Sequence, residues 1–203
     1  MTLDEGYIKY QSHWSPGPAP DATAACKLEE WRRPLYVAGL VGHNKEFDVG
    51  FGNISVRCGK PGQFMITGTQ TGHLERTNEQ HYSLVTGYNI ERNEVSCAGP
   101  SQASSEAMTH AAIYELDSSI NAIVHVHSRS LWKRYLNTLP TTSVDVEYGT
   151  PEMAQEFRLL YSNTAFGIQG IAVMGGHDEG LIGIGESLEQ ATARILSLAK
   201  ELS

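Results

Sequence analysis

Apolar and polar positions alternate through NAIVHVHS, residues 121–128, and the alternation predicts a β-strand whose His125 and His127 project from one face. QGIAVM and GLIGIG predict two more short strands flanking a GGHDEG turn, and ISVRC and QFMIT predict a hairpin closed by GKPG. Helical spacing follows elsewhere: Leu28, Trp31, Leu35 and Ala38 predict a helix over residues 25–40, kinked at Pro34 or restricted to its second half. In SSEAMTHAAIYEL, Ala107, Ala111 and Tyr114 form one stripe, with Ser104 or Ser105 as the cap and Glu106 in the first turn. SLWKRYL returns to helical spacing after the histidine strand, and Ser187 with Gln190 forms a capping box ahead of Leu188, Ala191, Ile195, Leu198 and Leu202. Prolines and a glycine in WSPGPAPDA make residues 1–24 an expected extended arm, leaving residues 25–203 as a single mixed α/β layered domain.

Composition narrows the class without naming a chemistry. A chain of 203 residues with 40% hydrophobic content can bury one sizeable core. A net charge of −8 with no Lys/Arg cluster argues against a nucleic-acid partner. The absence of an apolar run of about 20 residues, or of a basic and apolar leader at MTLDEGYIKYQ, argues against a membrane and for a cytoplasmic protein. Cys26, Cys58 and Cys97 lack CxxC spacing and are expected as buried, reduced thiols.

The histidines change the picture. Two imidazoles at i and i+2 on one strand face can converge on one divalent metal, zinc above all, although an HxH also arises by chance in a chain with eight histidines. A catalytic zinc site needs a third protein ligand, and His177, in a Gly-rich turn between two strands, is the best placed candidate; His13, His43, His73 and His81 lie in polar loop sequence. His110 shares a helical face with Glu106 and is expected as a structural histidine bonded to backbone. Arg129, Lys133 and Arg134 read as a solvated basic face that could also attract an anion, and Trp132 as core or interface.

GFGNISVR, MITGT, PSQASSEAMTHAAIYE, NAIVHVHS, EYGTPEMA and the late histidine turn occur in an order that resembles the class II aldolase/adducin family, across residues 27–202. The specific part is SSE followed 19 positions later by HxH. The resemblance is to the branch that includes L-fuculose-phosphate aldolase and ribulose-phosphate 4-epimerase. It implies a three-layer α/β/α fold with a mixed, largely antiparallel central sheet. It also implies one Zn2+ per chain, with Mn, Fe or Co as other options, on His125, His127 and His177, and Glu106 as acid/base and additional ligand. Gly52, Asn53, Thr67, Gly68, Ser104 and Ser105 are implied to hold a substrate phosphate through small side chains and backbone N–H groups. The implied activity is an aldolase-type lyase that cleaves a small, phosphorylated ketose through a metal-stabilised enediolate. Epimerase, dehydratase or decarboxylase activity on the same scaffold, or a non-catalytic adducin-like interaction module, are the alternatives. The implied partners are a sugar phosphate and three further copies of the chain, in a homotetramer with sites at subunit contacts.

Three departures from the family pattern stand out. The stretch between His127 and YGTPE lacks a counterpart for the family's substrate-facing tyrosine, with Tyr148 as the candidate substitute. The phosphate loop reads TGTQTG, and Asp178 and Glu179 follow the late histidine where relatives have glycine.

Overall fold

Strand pairing sets the architecture. The computed structural model describes residues 6–46 and 48–202. In chain order the elements are β1 (Gln11–Pro16), α1 (Ala22–Val37), β2 (Gly42–Asn44), β3 (Val49–Phe51), β4 (Asn53–Arg57), β5 (Phe64–Thr67), β6 (Tyr82–Asn89) and β7 (Glu94–Gly99). They continue with α2 (Ala107–Leu116), β8 (Ala122–His127), α3 (Arg129–Tyr135), α4 (Pro151–Asn163), α5 (Phe166–Gln169), β9 (Ile171–Val173), β10 (Gly180–Gly185) and α6 (Leu188–Lys200). Eight strands form one sheet in the order β1-β7-β6-β5-β4-β8-β10-β9, and β2 pairs with β3 in a separate ribbon. Within the large sheet only β1 and β7 run parallel; the other neighbours are antiparallel.

Each face of the sheet buries its own apolar layer, which makes the domain three layers deep. Ile123 and Ile182 pack with Met108 and Ile113 of α2, Phe157 of α4 and Phe166 of α5. Val124 and Val126, one residue out of phase, pack with Leu28 and Leu35 of α1, Leu131 of α3 and Ile195 of α6. Successive strand residues point to opposite faces, so His125 and His127 share the face of Ile123 and of α2. No helix among the described residues is long and apolar enough to cross a membrane.

Several local expectations change. Of the segment read as an arm, residues 1–5 lie outside the described residues, Gln11–Pro16 adds a strand to the sheet edge beside β7, and Ala22 already begins α1. Helix α1 runs through Pro34. The N-cap of α2 is Glu106 itself, and the Ser104 hydroxyl accepts from the Glu106 N–H at 3.3 Å, so this serine shapes the turn before the helix. Of the cysteines only Cys97 is buried; Cys26 is exposed and Cys58 intermediate. The β6–β7 hairpin and α4 have no counterpart among the sequence-based expectations.

A buried arginine ties the first helix to the loop after β5. Arg32, 1% exposed, donates to the carbonyls of Thr71 at 3.3 Å and Leu74 at 2.5 Å and pairs with Glu29 at 3.3 Å. Replacing it leaves those acceptors and a partly buried carboxylate without their cation. Arg32→Met is therefore expected to destabilise the fold by about 2–4 kcal/mol, measured as a lowered urea midpoint; an unchanged midpoint would contradict that role.

Candidate metal centre and cleft

The central strand and its two neighbours build the site. β8 lies between β4 and β10, with His125 opposite Asn53 on one side and Ile182 on the other, and with His127 opposite Gly180. Cross-strand partners share a face, so Asn53, His125, His127 and Gly180 look the same way. The turn between β9 and β10 carries His177, and the N-terminus of α2 carries Glu106. The three histidines and Glu106 are each at most 3% exposed.

The three imidazoles converge: their candidate ligand atoms lie within 4.8 Å of one another. The Nε2 atoms of His125 and His127 are 2.9 Å apart, with the rings edge to face at 88°. The His177 ring stacks on His125 at 5.2 Å and meets His127 edgewise at 4.7 Å. Glu106 Oε1 approaches His177 Nε2 at 3.4 Å, and neither Glu106 oxygen makes a well-formed hydrogen bond with the protein.

Burial determines the protonation. It holds His125 down to about 3, and holds His127 and His177 well below the ordinary imidazole value. Each ring therefore keeps a lone pair at neutral pH, the form in which imidazole binds a metal. Burial pushes the Glu106 carboxyl up to about 7, with Thr109 and the Lys9 charge acting in the opposite sense. Three buried neutral nitrogen donors beside an under-bonded carboxyl fit a divalent cation of the zinc type. His110 stands behind this group, its Nδ1 2.7 Å from the Ser55 hydroxyl. Its partner is thus a side chain where a backbone group was expected.

A glycine makes the convergence possible. A Cβ at Gly180 would lie 2.8 Å from His177 Cδ2 and 3.2 Å from His125 Cε1. At Gly52 the positive φ of 76° and the approach of Val41, whose Cγ2 would be 2.8 Å from a Cβ, impose glycine again.

Beside the histidines lies a cleft that gathers most residues implied to hold a phosphate. Gly52, Asn53, Gly68, Ser104 and Ser105 line it together with Glu106 and His125. Thr67 lies outside this lining, and its Oγ1 accepts from the Ile54 N–H at 3.2 Å. Several backbone donors are already engaged: the N–H of Gly68 with His81 O at 2.7 Å, and that of Ser104 with Thr67 O at 3.1 Å. The side chains of Asn53, Ser104 and Ser105 are therefore the better anion donors here.

Sequence reasoning missed Gln70 and Phe51, and it named Tyr148 only as a stand-in for a substrate-facing tyrosine, not as a neighbour of His177. Gln70, at φ 59°, lines the cleft and accepts from the Gly50 N–H at 3.2 Å. The Phe51 ring lies 5.7 Å from His127, and the Tyr148 ring lies 4.4 Å from His177. Glycine punctuation in TGTQTG was the available signal for the first, since it marks a tight loop at a strand end. Of the two acids after the late histidine, Asp178 is exposed and the partly buried Glu179 pairs with Arg129 at 3.1 Å.

Comparison with other proteins follows this geometry. Residues 35–202 match the sequence pattern of the class II aldolase and adducin N-terminal domain. L-fuculose-1-phosphate aldolase from Thermus thermophilus is similar over 89% of this chain and 91% of its own, at 19% identity and a TM-score of 0.63. A sugar-phosphate aldolase from Thermotoga maritima matches over 88% and 91%, at 16% identity and a TM-score of 0.62. YgbL from Klebsiella pneumoniae, for which aldolase, epimerase and decarboxylase activities are all named as candidates, matches over 88% and 86%, at 20% identity and a TM-score of 0.63. At these identities the structural likeness is one of fold.

Gly180→Ala is expected to weaken binding of a divalent metal by roughly tenfold or more, because the new methyl must displace a ligand ring; wild-type affinity in a chelator competition would refute this. The two kinds of titratable group set opposite pH trends in chelator-treated protein. Glu106 holds its proton more tightly when folded, so its contribution is complete below its ordinary 4.5 and is lost as pH rises through about 7. The buried histidines contribute above their ordinary 6.5 and lose that contribution as pH falls and the unfolded chain takes up protons. Glu106→Gln should thus stabilise the metal-free chain at about pH 8 by on the order of 2 kcal/mol, with the gain shrinking by about pH 5. Urea midpoints at the two pH values test it, and a pH-independent gain would count against the buried-acid account.

Proposed function

Since the chain belongs to the class II aldolase and adducin family, we propose that it is a zinc-dependent lyase that cleaves a carbon–carbon bond in a small phosphorylated ketose. The observation that carries this reading is the convergence of three buried, neutral imidazoles beside a carboxyl whose proton is exchangeable near neutral pH. His125, His127 and His177 would hold the ion, with Glu106 at its edge. A divalent ion bound there supplies an electrophile that stabilises negative charge developing on substrate oxygens.

The chain's own residues do the rest. Asn53, Ser104 and Ser105 hold the phosphate end in the cleft that they line with Glu106. As the carbon–carbon bond breaks, its electron pair passes to the carbon beside the carbonyl, the hydroxyl of the departing fragment becomes an aldehyde, and that hydroxyl's proton passes to the Glu106 carboxylate. The Glu106 carboxylic acid delivers its proton to that carbon and is left as carboxylate. A buried carboxyl raised to about 7 is suited to this task, because both of its forms are accessible at neutral pH. The Tyr148 and Phe51 rings against His177 and His127 limit the access of water to the reacting carbon.

The same carbanion serves an epimerase, dehydratase or decarboxylase, so product analysis separates these from the lyase. A non-catalytic adducin-like module has no need of three converging imidazoles. We further infer a homotetramer, in which copies complete one another's clefts; a monomer by light scattering would remove that element.

The test combines metal content with turnover. Purified protein is expected to hold about one divalent ion per chain and to release a triose phosphate from a ketose 1-phosphate in a coupled reductase assay. Glu106→Gln should lower kcat by about 10²- to 10⁴-fold. Under half an ion per chain, or unchanged turnover in the variant, would overturn the assignment.

A further inference from the structure

The residues just before β1 reach into the metal centre, and this inference rests on the metal-centre reading given above. Tyr10, 4% exposed, donates its hydroxyl to the carbonyls of Ala103 at 3.2 Å and Ser104 at 2.9 Å, which ties the segment to the turn that presents Glu106. Asn93 Nδ2 donates to the Lys9 carbonyl at 3.1 Å, and the Gln11 N–H donates to Asn93 O at 2.7 Å. Further back, the Tyr148 hydroxyl donates to the Tyr7 carbonyl at 3.1 Å, and Gly6 lines the cleft itself.

Lys9 extends this anchoring to the ligands. Its Nζ sits 4.2 Å from the centroid of the Tyr148 ring and 2.9 Å from Glu147 Oε2. The Tyr148 ring in turn packs on His177 with centroids 4.4 Å apart at 41°. His125 and His127 are held by a central strand with neighbours on both sides, whereas His177 stands in a turn outside β10. Ring packing is therefore an effective restraint on how the third imidazole is aimed. An ammonium over an aromatic face is attracted by the ring quadrupole, and the attraction grows where water is scarce.

We propose that Lys9 and Tyr148 are positioning residues for the metal centre: the Lys9 ammonium holds the Tyr148 ring against His177, which fixes the orientation of the third ligand. The segment before β1 is thereby part of the site, both as a wall of the cleft at Gly6 and as the source of the cation that steadies Tyr148. Loss of a group that orients a metal ligand without touching the metal typically costs about 10- to 100-fold in affinity.

The experiment is a Co2+ titration of the full chain, read by visible absorption and by chelator competition, alongside urea midpoints of the metal-free proteins. Tyr148→Leu, which keeps bulk but removes the π face, should weaken Co2+ by about 10- to 100-fold. Lys9→Met should weaken it by about 3- to 10-fold, while Lys9→Arg, still a cation over the ring, stays within about twofold of wild type. The double variant Lys9→Met/Tyr148→Leu should be no weaker than Tyr148→Leu alone, because Lys9 acts through that ring. Wild-type affinity in both single variants, or losses that simply add in the double variant, would overturn the proposal while leaving the metal centre intact. A wild-type chain that binds no Co2+ would overturn the metal-centre reading as well. A Lys9→Met variant with a wild-type urea midpoint and weakened Co2+ binding separates ligand positioning from general stability.

Discussion

Desolvation of titratable side chains at one end of the sheet is the constraint around which the rest of the molecule is arranged. His110, His125, His127, His177 and Glu106 are all at most 3% exposed on the face that also carries the larger apolar layer. Burying so many polar groups is costly unless each is neutral, bonded or paired with an ion. The imidazoles meet this by losing their proton affinity, and the carboxyl by gaining it. The outcome is a cluster of three neutral imidazoles, the form in which this side chain can bind a metal, kept so by the same apolar surroundings that stabilise the fold.

The geometry of antiparallel pairing makes this arrangement reproducible. One register places Asn53 against His125, and another places Gly180 against His127, so a cleft residue and the open space for the rings are both fixed by hydrogen bonding of the backbone. A one-residue slip of β8 would send both histidines into the opposite layer, among Leu28, Leu35 and Leu131. Arg32 performs a related service at longer range, since it holds the Thr71 and Leu74 carbonyls of the loop that forms the far side of the cleft.

What could be read from sequence divides along the same physical line. The strand period of two exposed the His125/His127 pair, turn residues marked the β4–β5 and β9–β10 hairpins, and the resemblance supplied Glu106 and the cleft serines. The β6–β7 hairpin escaped, since Gly87 and a register shift between Val85 and Gly87 interrupt its alternation. The cap of α2 was misplaced because Ser104 is a good cap by type, yet its hydroxyl accepts only one residue short of the helix. Tyr148, Phe51 and Gln70 could not be found by periodicity, because they come from loops or from a strand of only three residues and join the site through tertiary contacts. Five of the six residues expected in a phosphate cradle line one cleft, and the backbone N–H groups of two of them, Gly68 and Ser104, are already engaged by neighbouring carbonyls.

The one parallel pairing in the sheet also has a temporal meaning. β1 is synthesised first, yet its partner β7 lies about eighty positions later in the chain, a separation that makes closure slow compared with the hairpins. On the ribosome, the segment with Lys9 and Tyr10 must wait for Glu94–Gly99 before it can dock, and for Tyr148 before it can meet its aromatic partner. His177 belongs to the last hairpin to emerge. The order of synthesis therefore leaves the cleft open at its N-terminal wall until Tyr148 has emerged, and the third imidazole joins the other two only after that.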